Sequence, residues 1–297
     1  MKKKLSSIFF GLVFVAGLGI FIYPTASEQW NKLHQSKAIE RYEEAMAELG
    51  EEDYEAIWEA ARRYNDGIIT NTFPQDAFSQ EVENMKDTEY WSILNPGDNG
   101  IMGYISIPKI VQKLPIYHGT SESVLQIAVG HMTGTKLPIG DEGGHSVLAG
   151  HRGLPSAKLF SDIDQLEIGD CFYIHVLGEV LAYEVDEIHP MIDKNDIDTL
   201  TEVMQNVEGQ DYVTLFTCTP YGVNSHRLLV RGKRTEYQGE EEEKVVPAEA
   251  MLESVKDYYI LYSLVAAGVA IIVAILIAIW KRRKSAKKVR EEKNEKD

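Results

Sequence analysis

The sequence predicts a mainly β domain, closed as a barrel or packed as a sandwich, with helical and apolar segments at its ends. Three features lead there. From Tyr90 onward the chain breaks into short runs rich in β-branched and aromatic residues, each bounded by Gly, Pro or Asp, the pattern of small all-β architectures. The helix-like stretches between those runs are brief. Before Tyr64, by contrast, apolar residues recur at spacings near three and four, the period of amphipathic helices.

The chain has 297 residues, room for one ordinary globular domain of ~100–200 residues plus appendages. Residues 1–26 open with Lys2-Lys3-Lys4 and the apolar run Leu5 to Tyr23. This is expected to be an uncleaved membrane anchor; a signal peptide is the alternative, with Pro24-Thr25-Ala26-Ser27 supplying small residues for cleavage. Residues 27–89 form a helical N-terminal region. Trp30, Leu33, Ile39, Tyr42, Met46 and Leu49 share one helical period, Tyr54, Ile57, Trp58 and Ala61 another, and Gly50 divides them. The aromatic positions are expected to pack on the domain. About residues 67–79 the period stops, and IITNTFPQDAFS reads as a loop.

Residues 90–237 carry the strand-like runs Gly103 to Pro108, Val111 to Tyr117, His145 to His151, Cys171 to Leu177, Val180 to Ile188, Asp211 to Cys218 and His226 to Tyr237. Ser121 to Ala128, Ser156 to Leu166 and Asp196 to Glu202 read as short connecting helices. Residues 238–257 carry Gly239 and then four glutamates, a like-charge run expected to be a solvated linker. Tyr258 to Trp280 is uncharged and apolar, long enough for a bilayer that needs about 20 such residues. The tail 281–297 starts Lys281-Arg282-Arg283-Lys284. Basic flanks stay cytoplasmic, so both ends are expected inside and the domain between them outside the cell.

Charge and cysteine usage narrow the function. Taking the +3 of the first lysines and the +5 of the tail after Trp280 from a formal −16 leaves −24 on the middle of the chain. Such a body argues against nucleic-acid binding, which needs a basic face. It would attract basic partner segments, or simply keep an exported domain soluble. Only Cys171 and Cys218 are present, too few for the disulfide framework of many exported domains. One bridge between them is the alternative to two thiols. No glycine-rich phosphate loop precedes a helix, and no Cys or His pair has zinc spacing; no cofactor or metal is expected.

The chemistry is placed in DYVTLFTCTPYGVNSHRLLVRG, Asp211 to Gly232. Two strands joined by a Pro-, Gly- and Asn-bearing turn put Cys218 and Arg227 side by side. A thiol with an ordinary pKa of roughly 8.5 becomes a nucleophile on ionising, which a neighbouring cation favours; a plain core thiol is the alternative. A Cys nucleophile also needs a group that takes and returns a proton near neutral pH, the property of histidine. His131, His145 and His151 are candidates, whereas His226 would face away from Arg227. Arg231 shares the face of Arg227, and Arg234 reads as surface charge.

TLFTC followed by SHRLLVRGKR, with SVLAGHRGLP upstream, resembles the sortases, the cysteine transpeptidases of Gram-positive cell surfaces. IMGYISIPKI, LPIYHGTSESVL, VGHMTGTKLPIG, HRGLPSAKLF and CTPYGVNSHRLLVRG resemble the pilin-polymerising class C group, over roughly Tyr90 to Tyr237. The resemblance implies a closed eight-stranded sortase-type β-barrel. It selects His151 as general acid/base beside the nucleophile Cys218 and the oxyanion stabiliser Arg227. It also implies a lid. Relatives carry Asp-Pro-Phe or Asp-Pro-Trp over the thiol, and this chain has Asp76-Ala77-Phe78; without the proline the loop lacks one fixed φ angle. The implied reaction cleaves an LPXTG-like sorting signal through a thioester and transfers the acyl group to a lysine amine of a pilin subunit. The implied partners are pilin or surface proteins bearing that signal and the lipid bilayer. A housekeeping sortase serving cell-wall peptide and a non-catalytic membrane scaffold are the alternatives.

Overall fold

The computed structural model describes residues 2–69, 78 and 88–239. The chain divides into two compact units, Met1–Glu242 and Glu243–Asp297. The second, with the expected span Tyr258 to Trp280 and the basic tail, lies outside the described residues, as does the linker beyond Gly239.

Eight strands close into a barrel: β1 (Ile101–Ile107), β2 (Gln112–His118), β3 (Val129–His131), β4 (Gly144–Ala149), β5 (Cys171–Val176), β6 (Glu179–Asp193), β7 (Asp211–Thr219) and β8 (His226–Thr235). Their order around the ring is β1-β2-β3-β4-β7-β8-β6-β5. Two neighbouring pairs, β2/β3 and β4/β7, are parallel and the others antiparallel. Closure removes the open sheet edge that another chain could join.

Alternation along the strands fixes the register. Ile105, Ile107, Leu114, Ile116, Phe172, Ile174, Val213, Leu215, Leu228 and Val230 point inward into one apolar core. A slip of one residue would turn every one of them outward, which specifies the pairing strongly. A second apolar cluster lies on the outer side of β4, β7 and β8, where Val147, Ala149, Phe216 and Leu229 meet Leu125, Met132, Leu200 and Met204.

The barrel departs from the sequence expectations in several places; β6 runs on to Asp193 and the helix expected over Ser121 to Ala128 shortens to Glu122–Leu125. No strand-like run marks β3, because three residues are too few to display a period of two. The run His145 to His151 stops pairing at Ala149, so His151 lies just past the strand end. Ser156 to Leu166 is not a helix. Only a 3-10 turn, Ile163–Gln165, forms there, because Leu159 takes a left-handed φ of 44° that helical backbone does not tolerate.

Two longer helices precede the barrel: α1 (Lys2–Ala47), which carries Pro24 within it, and α2 (Glu51–Gly67). Three short ones sit around it: α3 (Glu89–Ser92), α4 (Glu122–Leu125) and α5 (Ile197–Val203). The expected anchor Leu5 to Tyr23 forms the first turns of α1. Among the described residues no helix is long and apolar enough to cross a membrane. Trp58, Ala61 and Asn65 of α2 are buried, and the Asn65 side chain exchanges hydrogen bonds with the backbone of Leu137. On α1 the packing expected of the aromatic positions holds for Tyr42, buried beside Ile39, and fails for Trp30, which is 64% exposed beside Leu33 at 61%. At their level the helix meets the domain through polar side chains instead: Asn31 donates to the Ser156 carbonyl and Gln35 to that of Ile127.

Candidate active site

The strand alternation that buries Leu148, Leu215 and Leu228 inside the barrel places their neighbours outside. On β7 the outward positions run Thr214, Phe216, Cys218; on β8 they run Arg227, Leu229, Arg231. Cys218 and Arg227 are partners in the antiparallel ladder. On the other flank β4 runs parallel to β7, with Ala149 opposite Phe216, so His151, two residues on, is level with Cys218. Contacts with the backbone carry the pairing past the strand end: Gly150 N–H donates to the Phe216 carbonyl at 3.1 Å, and Thr217 Oγ1 to the Gly150 carbonyl at 2.6 Å. The fold thus brings His151, just past the end of β4, into one row with Cys218 on β7 and Arg227 on β8.

The ring of Phe78 lies against this row. It stacks on His151 with centroids 5.4 Å apart and on Phe216 at 5.7 Å, each with an interplanar angle of 24°. The Arg227 guanidinium carbon is 5.2 Å from the same ring centre, within range of a cation–π contact. Asp76, the other lid residue expected from the sequence, lies outside the described residues.

Cys218 is buried, Cys171 sits half-buried at the start of β5, and no disulfide joins them. Burial, then the carboxylates of Glu184 and Asp170, push the Cys171 thiol up and keep it protonated. Arg227 is only 3% exposed; its Nη1 donates to the carbonyls of Asn224 and His226 at 3.1 and 3.0 Å. The turn that supplies those carbonyls depends on left-handed backbone at Gly222 and Asn224, residue types that adopt it readily.

The other candidate histidines are engaged elsewhere. His131 is fully buried, bonded to the Tyr90 hydroxyl and the Lys136 carbonyl, and burial lowers its pKa to about 4. His145 is bonded to Thr214 Oγ1 and the Gln205 carbonyl, and burial likewise lowers it to about 4. Both are held neutral as packing groups. His151 has its Nε2 3.4 Å from the carboxylate of Glu122. That carboxylate is held below its usual range first by the Gln126 amide and then by His151. Arg231 forms ion pairs with Asp186 and Glu187 at 2.8 and 2.6 Å. Arg234, read from the sequence as surface charge, instead lies 3.9 Å from Asp211 and over the Tyr183 ring at 5.7 Å.

Sequence reasoning misses Glu122 and Phe216. The period of two on β7 marks Phe216 as the neighbour of Cys218 on the same face, but nothing local marks Glu122, which reaches His151 only through the fold. Among the described residues no group of three or more His, Cys, Asp and Glu is placed to hold a metal ion.

The sortase domain family matches residues 105–235. The crystal structure of sortase C1 from Streptococcus agalactiae is 45% identical and superposes with a TM-score of 0.60, over 68% of this chain and 100% of that one. Sortase C-1 from Streptococcus pneumoniae is 41% identical with a TM-score of 0.61, over 68% and 99%. Among curated relatives, Sortase SrtE1 of Streptomyces coelicolor is 32% identical over 140 residues, and Sortase A of Bacillus anthracis 30% over 132. Those matches take in 44% of this chain, and 40% and 59% of the relatives' lengths. Fold and sequence together define a cysteine transpeptidase. The chain belongs to the sortase family, and its similar solved structures are class C sortases.

Proposed function

We propose that this protein is a membrane-tethered pilin polymerase acting on LPXTG-like sorting signals. The observation that carries the reading is the row formed by His151, Cys218 and Arg227 beneath the Phe78 ring. The Cys218 thiolate attacks the threonine carbonyl carbon of the signal, and negative charge develops on its oxygen. Arg227, a donor that keeps its proton, stabilises that charge. The Thr–Gly bond breaks as His151 gives a proton to the leaving amine, and a thioester remains on Cys218. A neutral lysine amine of a second pilin then attacks the thioester, passing its proton to His151 and returning the thiolate. The product is an isopeptide bond.

In this reading Asp76 and Phe78 close the groove at rest. The apolar run Tyr258 to Trp280 tethers residues 90–237 at the outer face of the membrane. The alternative is a housekeeping sortase that transfers the acyl group to cell-wall peptide. The two part at the product. With purified pilin the protein is expected to build covalent multimers resistant to boiling in detergent; single pilins joined only to a wall-peptide amine would support the second reading instead.

A further inference from the structure

We propose that Arg152 is a positioning residue that sets the spacing between His151 and Cys218. The inference rests on the roles given to those two residues above. Arg152 directly follows His151, and Thr219 directly follows Cys218. Between them Arg152 Nη1 donates to Thr219 Oγ1 at 3.1 Å, while Nη2 pairs with Asp164 Oδ2 at 2.5 Å. The side chain is 12% exposed, and its Nε is buried with no hydrogen-bond partner among the described residues. Burying a guanidinium nitrogen in that way costs stability, which the bonds to Thr219 and Asp164 have to offset.

The need for such a brace follows from where pairing ends. Ladder pairing of β4 with β7 reaches Ala149 and Phe216, and the Gly150 N–H to the Phe216 carbonyl extends it by one backbone bond. Beyond it, His151 and Cys218 sit on segments that the β4–β7 ladder no longer ties. The planar guanidinium fork spans the gap, joining the segment after His151 to the end of β7 and to the 3-10 turn that carries Asp164. Two further contacts seat the same loop: Phe160 N–H donates to the His151 carbonyl at 3.2 Å, and Gly153 N–H to Ser161 Oγ at 3.1 Å. A lysine keeps the charge but is a point donor on a flexible stem and cannot reproduce the fork. A shift of about 1 Å in reacting groups can cost roughly 100-fold in rate.

The test is a double-mutant cycle of Arg152→Lys and Thr219→Val in the full chain, with an LPXTG peptide and an amine acceptor. Each single variant is expected to lower kcat at least ~10-fold with KM within about 3-fold, and the double variant to be no worse than Arg152→Lys alone. The pH midpoint for alkylation of Cys218 by iodoacetamide is expected to stay in place in Arg152→Lys, whose charge is unchanged. Wild-type kcat in either single variant, losses that simply multiply in the double, or a displaced alkylation midpoint overturns the proposal. Thr219→Val removes only a hydroxyl and nearly preserves shape, so it decides the matter even where Arg152→Lys fails to fold. Activity retained by Cys218→Ala would overturn the underlying site assignment instead, a result distinct from any of these.

Discussion

The outer face of β4, β7 and β8 carries two similar sets of residues, each a histidine, a small polar side chain and an arginine, one toward each end of the strands. Toward the start of β7 are His145, Thr214 and Arg231; toward its end are His151, Cys218 and Arg227. Composition barely separates them, but their partners do. At the first end His145 is bonded to Thr214 and to the Gln205 carbonyl, and Arg231 is matched by Asp186 and Glu187. Every group there is occupied in holding segments of the fold together. At the second end the guanidinium is oriented by two backbone carbonyls, and an aromatic ring from outside the barrel covers both it and the imidazole. The site proposed for chemistry differs from the structural cluster in what its groups are bonded to.

Substitutions at the two ends should therefore fail in different ways. His151→Asn is expected to lower kcat by ~100- to 10,000-fold, the span of general acid–base catalysis, with little change in melting temperature. Arg227→Lys should lower kcat by roughly 100- to 1,000-fold, as loss of an oxyanion donor does. Steady-state kinetics beside calorimetry checks both. Arg231→Met leaves Asp186 and Glu187 without their partner. It should cost about 1–2 kcal/mol of stability with kcat close to wild type. A large kinetic loss from Arg231→Met without lowered stability would break the comparison.

Smaller effects sharpen it. Replacing Asp76 and Phe78 together by Ala should speed iodoacetamide labelling of Cys218 several-fold, read by mass spectrometry; an unchanged rate would remove the lid. Acid should act through the buried histidines. His131, His145 and His175 are held by burial at about 4 in the fold, against roughly 6.5 in an unfolded chain. The unfolded chain then binds more protons below that value, so stability is lost as pH falls from about 6.5 toward 4. His118, lowered by burial as well, adds to this loss. Asp211 runs the other way: burial raises it to about 7, so its contribution is present at low pH and lost as pH rises. Asp141, also raised by burial, acts in the same sense. The histidines outnumber these carboxylates, and the melting temperature should fall between about pH 6.5 and 4.5. A flat profile would contradict the neutral, structural role given to His145.

Much of this fold is legible in the sequence because long strands display their period. Asp211 to Cys218 alternates clearly enough to show which residues face inward, and a short turn rich in Pro, Gly and Asn fixes its antiparallel return. The Cys218–Arg227 pair follows from those two facts. Val129–His131 is too short to show any period, and its place beside β4 is set by pairing with Leu148 and Ala149, outside its own segment. The choice among His131, His145 and His151 is likewise not local. It turns on burial and on hydrogen bonds to Tyr90, Thr214 and Gln205, and in the sequence only the family resemblance selects His151. Glu122 and Arg152 act through contacts made after the chain has folded, and no spacing in their own segments marks them.

The central claim is that Cys218 is the acyl-carrying residue of the row. The most direct measurement is the intact mass of the full chain after incubation with an LPXTG peptide, followed by peptide mapping. The account predicts an adduct equal to the acyl fragment, located on Cys218, released by hydroxylamine and absent from Cys218→Ala. An adduct that persists in Cys218→Ala, or that maps to Cys171, would contradict it.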